Sequence, residues 1–117
     1  KELVFRIVGC AMKVHRELGY GFLEKVYVNS LMPLLQRENI KARQQYPVPV
    51  RFEGEVVGDY YADIWIENKV LIELKTVEAI TSVHYAQLLN YLKVTGIRLG
   101  LLLNFGPRKL EYERQIK

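Results

Sequence analysis

Apolar residues recur at helical spacing along the start of the chain. Leu3, Val4, Ile7, Val8, Ala11, Val14 and Leu18 fall on one stripe, which predicts an amphipathic helix over residues 3 to 18. Gly19-Tyr20-Gly21 stops it, with glycine available for a left-handed cap. A second helix is expected from about Phe22 to Glu38, burying Leu23, Val26, Tyr27, Leu31, Leu34 and Leu35. Pro33 lies inside that span and should kink or split it, and Asn39 should end it.

The period then shortens. Residues 41 to 53 read as a strand whose Pro47 and Pro49 place it at a sheet edge. Glu53-Gly54 makes a turn, Val56 to Ile66 a second strand, Glu67-Asn68-Lys69 a tight turn and Val70 to Lys75 a third strand. Residues 79 to 94 are predicted helical, with Ile80, Val83, Leu88 and Leu92 inward and Gly96 as the cap. Ile97 to Phe105 is almost wholly apolar, as a strand covered on both faces is. After Gly106-Pro107, the alternation of Leu110, Tyr112, Arg114 and Ile116 with polar residues predicts a last edge strand. The order α-α-β-β-β-α-β-β gives an α/β fold class. A single domain over residues 1–117 is expected, with a mixed sheet flanked by helices. A helix between the third and fourth strands is the usual way to join parallel neighbours.

The candidate chemistry lies in the hairpin Asp63–Lys75. With residues 67 to 69 as the turn, Ile66 pairs with Val70 and Asp63 falls opposite Glu73. Alternation then places Ala62, Ile64, Ile66, Val70, Ile72 and Leu74 on one face, a core face. Tyr61, Asp63, Trp65, Leu71, Glu73 and Lys75 take the other. Opposed like charges destabilise a sheet by roughly 0.2–1 kcal/mol. A hard divalent cation removes that cost. Mg²⁺ or Mn²⁺ accepts oxygen ligands, and Asp63, Glu73 and the Leu74 backbone carbonyl form a partial shell. Such a cation polarises a phosphoryl oxygen and acidifies a bound water, while Lys75 on the same face could steady the charge growing on a phosphate. By itself an acid-x-lysine triplet is a chance occurrence in a chain of this size. The opposed aspartate and the apolar reverse face are what raise it above chance.

Composition narrows the partners. Seventeen basic and 13 acidic residues give a net charge of +4, which mildly favours a polyanion. The positive charge is scattered, without a polybasic tail. A single cysteine, Cys10, excludes an internal disulfide and a cysteine-held cluster, reads as a small core residue, and suits a reducing, cytoplasmic setting. No apolar run approaches the roughly 20 residues of a membrane span, and no membrane partner is expected.

Gly21-Phe22-Leu23-Glu24-Lys25-Val26-Tyr27 resembles the Gly-x-x-Glu-x-x-Tyr signature of the GxxExxY family, which is assigned to the PD-(D/E)XK nuclease superfamily. The resemblance runs from Val14-His15-Arg16-Glu17-Leu18-Gly19 to Leu102-Leu103-Asn104-Phe105-Gly106 and includes Ala62-Asp63-Ile64 with Ile72-Glu73-Leu74-Lys75. It departs at Tyr20, where relatives commonly carry proline, and at Pro33. The resemblance implies the restriction-endonuclease-like αβββαβ core, here with an extra N-terminal helix and a C-terminal edge strand. It implies Asp63 and Glu73 as metal ligands, Lys75 as the catalytic lysine, and Glu24 as a further acid reaching the metal or its water. Gln87-Leu88-Leu89-Asn90-Tyr91 is similar to the Gln-x-x-x-Tyr element of RecB-type nucleases. That implies that Gln87 and Tyr91, which share a helical face, contact substrate phosphate or support Lys75, with His84, one turn earlier on nearly the same stripe, as a further substrate-contact candidate.

Two functions follow as expectations. One is Mg²⁺- or Mn²⁺-dependent hydrolysis of DNA or RNA. The alternative is a catalytically weak or inactive nuclease-fold module for nucleic-acid binding or assembly, acting as a homodimer or with a partner. Elsewhere, His15 is expected to meet carbonyls at its helix end, Tyr27 to be core, and Trp65 to pack or to stack on a base.

Overall fold

The computed structural model describes residues 2–117. Its elements are α1 (Glu2–Leu18), α2 (Glu24–Arg37), β1 (Ala42–Phe52), β2 (Glu55–Ile66), β3 (Val70–Lys75), α3 (Ser82–Thr95), β4 (Leu99–Asn104) and β5 (Glu111–Ile116). The five strands lie in chain order, β1-β2-β3-β4-β5. All neighbours are antiparallel except β3 and β4, which are parallel and joined through α3. The expected α/β class, the mixed sheet and the flanking helices are all present.

Turn chemistry fixes the registers. Glu53 and Gly54 both take positive φ (50° and 85°), as a two-residue hairpin turn with the right twist requires, and Phe52 pairs with Glu55. Glu67 and Asn68 also take positive φ (46° and 58°), and the Lys69 N–H donates to the Ile66 carbonyl at 2.7 Å. This closes the expected three-residue turn and pairs Ile66 with Val70. β1 is an edge strand, as its prolines imply. An edge tolerates them because a proline nitrogen turned outward removes no ladder bond.

Two apolar layers cover the sheet. α1 and α2 bury Ile7, Val14, Tyr27, Leu31 and Leu35 against Ile64, Ile66, Ile72, Leu74, Leu101 and Leu103. α3 buries Leu88, Tyr91 and Leu92 against Val48, Ala62, Leu71 and Leu102 on the opposite face. β3 is therefore buried along Val70–Leu74, and its apolar sequence follows from cover on both sides.

Five sequence expectations need correction. Leu23, expected to be buried by the second helix, is 79% exposed and stands just ahead of it as the cap residue. α2 runs unbroken through Pro33, which is exposed and does not split it. The buried stripe Tyr27, Val28, Leu31 and Leu35 on the other side holds the helix together despite the one missing hydrogen bond. Val83 is 72% exposed, because it lines an open hollow between α3 and the β1–β2 ribbon instead of packing on the sheet. His15 bonds not to its own helix end but to the Gly106 carbonyl, Nε2 to O 2.8 Å. Ala62 does not share a face with Ile64. Ala62, Tyr46 and Val48 pack towards α3, whereas Ala42 and Ile64 pack towards α1 and α2. Regular strands keep residues two apart on one face, so both β1 and β2 switch faces, at Gln45 and Asp63. Gln45 carries a left-handed φ of 55°, which turns the chain at that point.

Candidate active site

Asp63 sits where the β2–β3 ladder ends. The last ladder pair is Ile64 with Ile72. One step on, side chains replace the main-chain partners. The Asp63 N–H donates to Glu73 Oε2 at 2.8 Å, and the Leu74 N–H donates to Asp63 Oδ2 at 2.8 Å. The strands fork here, and two carboxylates occupy the fork. Asp63 and Glu73 are thus brought together as their register required. The Leu74 carbonyl leaves the strand on the same side as its N–H, towards Asp63.

Glu73 is only 5% exposed. Burial first, and then the neighbouring Asp63 carboxylate, push its pKa up to about 8, against the pull of the Asp63 N–H and Lys75. Burial also raises Asp63, opposed by the Leu74 N–H and by Lys75. Glu24, in the first turn of α2, is raised by burial, lowered by Lys75 and raised by Asp63. Glu24 therefore stands near the pair and the lysine. Among the described residues, however, no three His, Cys, Asp or Glu side chains form a metal-holding group. Glu24 feels both partners without closing a three-acid shell.

The Glu24 position is set by the segment before it. Gly21 takes φ 120°, a value that glycine alone adopts readily. Tyr27 is fully buried and stacks on Phe105 with ring centroids 4.6 Å apart. Its hydroxyl donates to the Gly19 carbonyl at 2.6 Å and accepts from the Phe22 N–H at 3.4 Å. The glycine and the tyrosine of Gly21–Tyr27 are thus the two devices that aim the glutamate between them.

Lys75 ends β3 and reaches α3. Its Nζ donates to Gln87 Oε1 at 3.0 Å, and Gln87 Nε2 lies 3.5 Å from the Tyr91 hydroxyl. Gln87 and Tyr91 thus join the lysine through one chain of contacts. Burial, then Glu73 and Asp63, push Tyr91 up to about 12, so its phenol stays protonated at neutral pH. His84 accepts the Thr81 N–H on Nδ1 at 3.0 Å and so caps α3. Burial and the positive Lys75 lower its pKa. Trp65 packs, stacking on Tyr46 at 5.4 Å and donating its indole N–H to Asn68 at 3.1 Å.

Asn104 is a site-supporting residue that the sequence reading missed. It is buried, pairs with Lys75 across β3 and β4, and clamps Val77 with two hydrogen bonds of 2.9 Å. Its amide also donates to Glu111 Oε1 at 2.8 Å. This clamp holds the loop that leads from Lys75 to α3. The available signal was a lone amide inside the apolar run Ile97–Phe105.

Two hollows lie near these groups. One, of about 500 Å³, is lined by Glu24, Asn29, Gln44, Gln45 and Asp63. The other, of about 620 Å³, opens between α3 and the β1–β2 ribbon and includes Gln87 and Tyr91. The arrangement as a whole offers hard oxygen donors, one ammonium and a protonated phenol beside an open surface.

A sequence model of a family described as the PD-(D/E)XK nuclease superfamily matches residues 1–115. No curated protein matches the sequence. Among solved structures, the chain is similar to an alkaline exonuclease (LHK-Exo) from Laribacter hongkongensis. The TM-score is 0.57 and the identity 11%, with 92% of this chain and 67% of the other covered. It is also similar to a protein named SSO0001, with TM-score 0.58 and 20% identity over 80% of this chain. It spans about half (49%) of that protein. At these identities the likeness shows the fold.

Proposed function

Because the chain belongs to the PD-(D/E)XK nuclease superfamily, we propose that it hydrolyses phosphodiester bonds of DNA or RNA with Mg²⁺ or Mn²⁺ held by Asp63, Glu73 and the Leu74 carbonyl. The observation that carries this reading is the fork itself. Two carboxylates share it, one of them almost fully buried, with one ammonium in range. Burial and mutual repulsion keep a proton on the pair at neutral pH, and a divalent cation would take the place of that proton. The donors are all hard oxygens, which fits Mg²⁺ or Mn²⁺ and not a thiophilic metal. When bound, such an ion supplies Lewis acidity to a phosphoryl oxygen and lowers the pKa of a water.

The chain's own groups do the rest. Lys75, steadied by Gln87, presents its ammonium to the phosphate and offsets the charge that develops there. Tyr91, kept protonated, is a hydrogen-bond donor at neutral pH. Glu24 stands by as a second-rank acid able to accept a proton or orient water. His84 sets the start of α3, and with it the position of Gln87 three residues later.

The test is cleavage of plasmid and oligonucleotide substrates with Mg²⁺ or Mn²⁺ and with chelator. Cutting should need the metal, and Lys75→Ala should reduce it about a hundredfold or more while the protein stays folded. Cutting in chelator, or full activity in Lys75→Ala, would overturn the proposal. The second reading, a binding or assembly module without turnover, has one observation on its side: Glu24 stops short of the carboxylate pair. Well-folded protein that binds nucleic acid equally with metal and chelator, and never cuts, would favour it.

A further inference from the structure

The β1–β2 ribbon extends past the β2–β3 ladder, because β3 pairs only with Ile64–Ile66 whereas β1 follows β2 along nearly its whole length. The face switch at Gln45 and Asp63 turns the even-numbered residues of this ribbon towards α3. Tyr60 is one of them. It is 50% exposed, and its ring lies 6.0 Å from that of Tyr91, tilted by 46°. Gly58 stands two residues before it on the same face. A Cβ there would lie 3.0 Å from the Tyr60 ring, so the glycine leaves room for the ring to lie back along the strand. Tyr60, Tyr91, Val50 and Val83 wall the hollow of about 620 Å³, and Gln87 belongs both to it and to the Lys75 contact.

We infer that this hollow holds an unpaired nucleobase of the strand being cut, which makes single-stranded nucleic acid, or a frayed or flipped position, the substrate class. The inference rests on the phosphodiesterase reading for its alignment with Lys75. Four features favour a base over other occupants. Two of its lining residues adjoin the candidate catalytic groups, Gln87 by its bond to Lys75 and Tyr91 by its nearness to Glu73 and Asp63. Its walls are aromatic and aliphatic, as a stacking platform is. The Asn90 amide offers a donor and an acceptor, and Gln87, whose oxygen is taken by Lys75, keeps an N–H, which match base edges. Lys93 is its one charged lining residue, whereas a track for phosphates needs several cations. A base stacked inside a duplex cannot enter such a pocket without leaving the helix.

The experiment uses the whole chain and oligonucleotides carrying a fluorescent adenine analogue whose emission falls on stacking. Binding is measured in chelator, so that nothing is cut, and cleavage is measured separately with Mn²⁺. Single strands should bind with quenching. Tyr60→Ala should weaken that binding about 5- to 100-fold and abolish quenching, while Tyr60→Phe keeps both. Duplex affinity should be the same in all three proteins. Val83→Asp, at a solvent-facing position, is a second variant with the same expected loss should Tyr60→Ala fold poorly. Folded variants that bind and quench single strands like the wild type would overturn the inference. So would a wild type that self-associates through Tyr60 with strand binding unaffected, since the occupant would then be a second copy. Quenching lost in Tyr60→Ala, without Mn²⁺-dependent cutting by the wild type, would keep the base pocket and remove the nuclease reading. Cutting with Tyr60-independent affinity would do the reverse.

Discussion

Replacing Glu73 by glutamine should stabilise the metal-free protein at alkaline pH and make little difference at acid pH. In the folded chain Glu73 keeps its proton up to about pH 8, against an ordinary value of 4.5. Between those values the folded state holds one proton more than the unfolded state. Stability is therefore fully present below about pH 4.5 and declines as pH rises through about 8. The slope is about 1.4 kcal/mol per pH unit, and the whole displacement corresponds to ~5 kcal/mol as an upper bound. Asp63 and Glu24 are raised as well and act with the same sign. Glutamine carries no charge and keeps an oxygen to accept the Asp63 N–H. Glu73→Gln should thus match the wild type near pH 4.5 and exceed it by several kcal/mol at pH 8.5. Urea denaturation in chelator, followed by the fluorescence of the single tryptophan, measures this. Excess Mg²⁺ should stabilise the wild type and leave the variant unchanged, because only the folded wild type has the site. A wild type whose stability rises from pH 4.5 to 8.5 in chelator, or a variant no better at pH 8.5, would refute the reasoning.

Ile72→Ala should cost about 2–5 kcal/mol as a core truncation, whereas Lys75→Ala should cost under about 1 kcal/mol; equal losses in urea titrations would mark the lysine as structural. Pro33→Ala should raise the free energy of unfolding by about 1–3 kcal/mol, since it restores one hydrogen bond in an exposed helix interior, and unchanged stability would mean that the proline is compensated locally. Gly106→Ala should be more damaging than Gly100→Ala. The added methyl meets the Val77 backbone carbonyl at the first site and the movable Leu88 side chain, at 2.8 Å, at the second. The second should cost about 1–3 kcal/mol, and a reversed order in thermal melts would contradict the packing described.

Much of this was legible beforehand because local rules governed it. The hairpin turn 67 to 69 fixed the Ile66–Val70 pair, and β3 runs from Val70 to Lys75 as its apolar run implied. The edge position of β1 followed from Pro47 and Pro49. What escaped were features set by tertiary geometry. Strict alternation cannot reveal that β1 and β2 exchange faces, because Gln45 is not a residue type that announces a left-handed φ. Val83 sits at a helical position that reads as buried, yet an open hollow separates it from the β1–β2 ribbon. The fork at Asp63 was legible as an opposition of acids. That the aspartate and glutamate would substitute for ladder hydrogen bonds was not, because it depends on where the strands diverge.

The order of the strands also governs when the candidate chemistry can arise during folding. Hairpins can zip locally, in microseconds, and the acids at 63 and 73 belong to one such hairpin. Among the described residues, the parallel seam between β3 and β4 is the one strand junction that no short turn can make. Closing it requires α3 to be wound across the sheet, a longer-range event and hence a slower one. That same closure delivers Gln87 to Lys75 and the Asn104 clamp to Val77. A nascent or partly unfolded chain would therefore carry its acids early and its oriented amine last, so readiness for reaction would coincide with completion of the whole architecture.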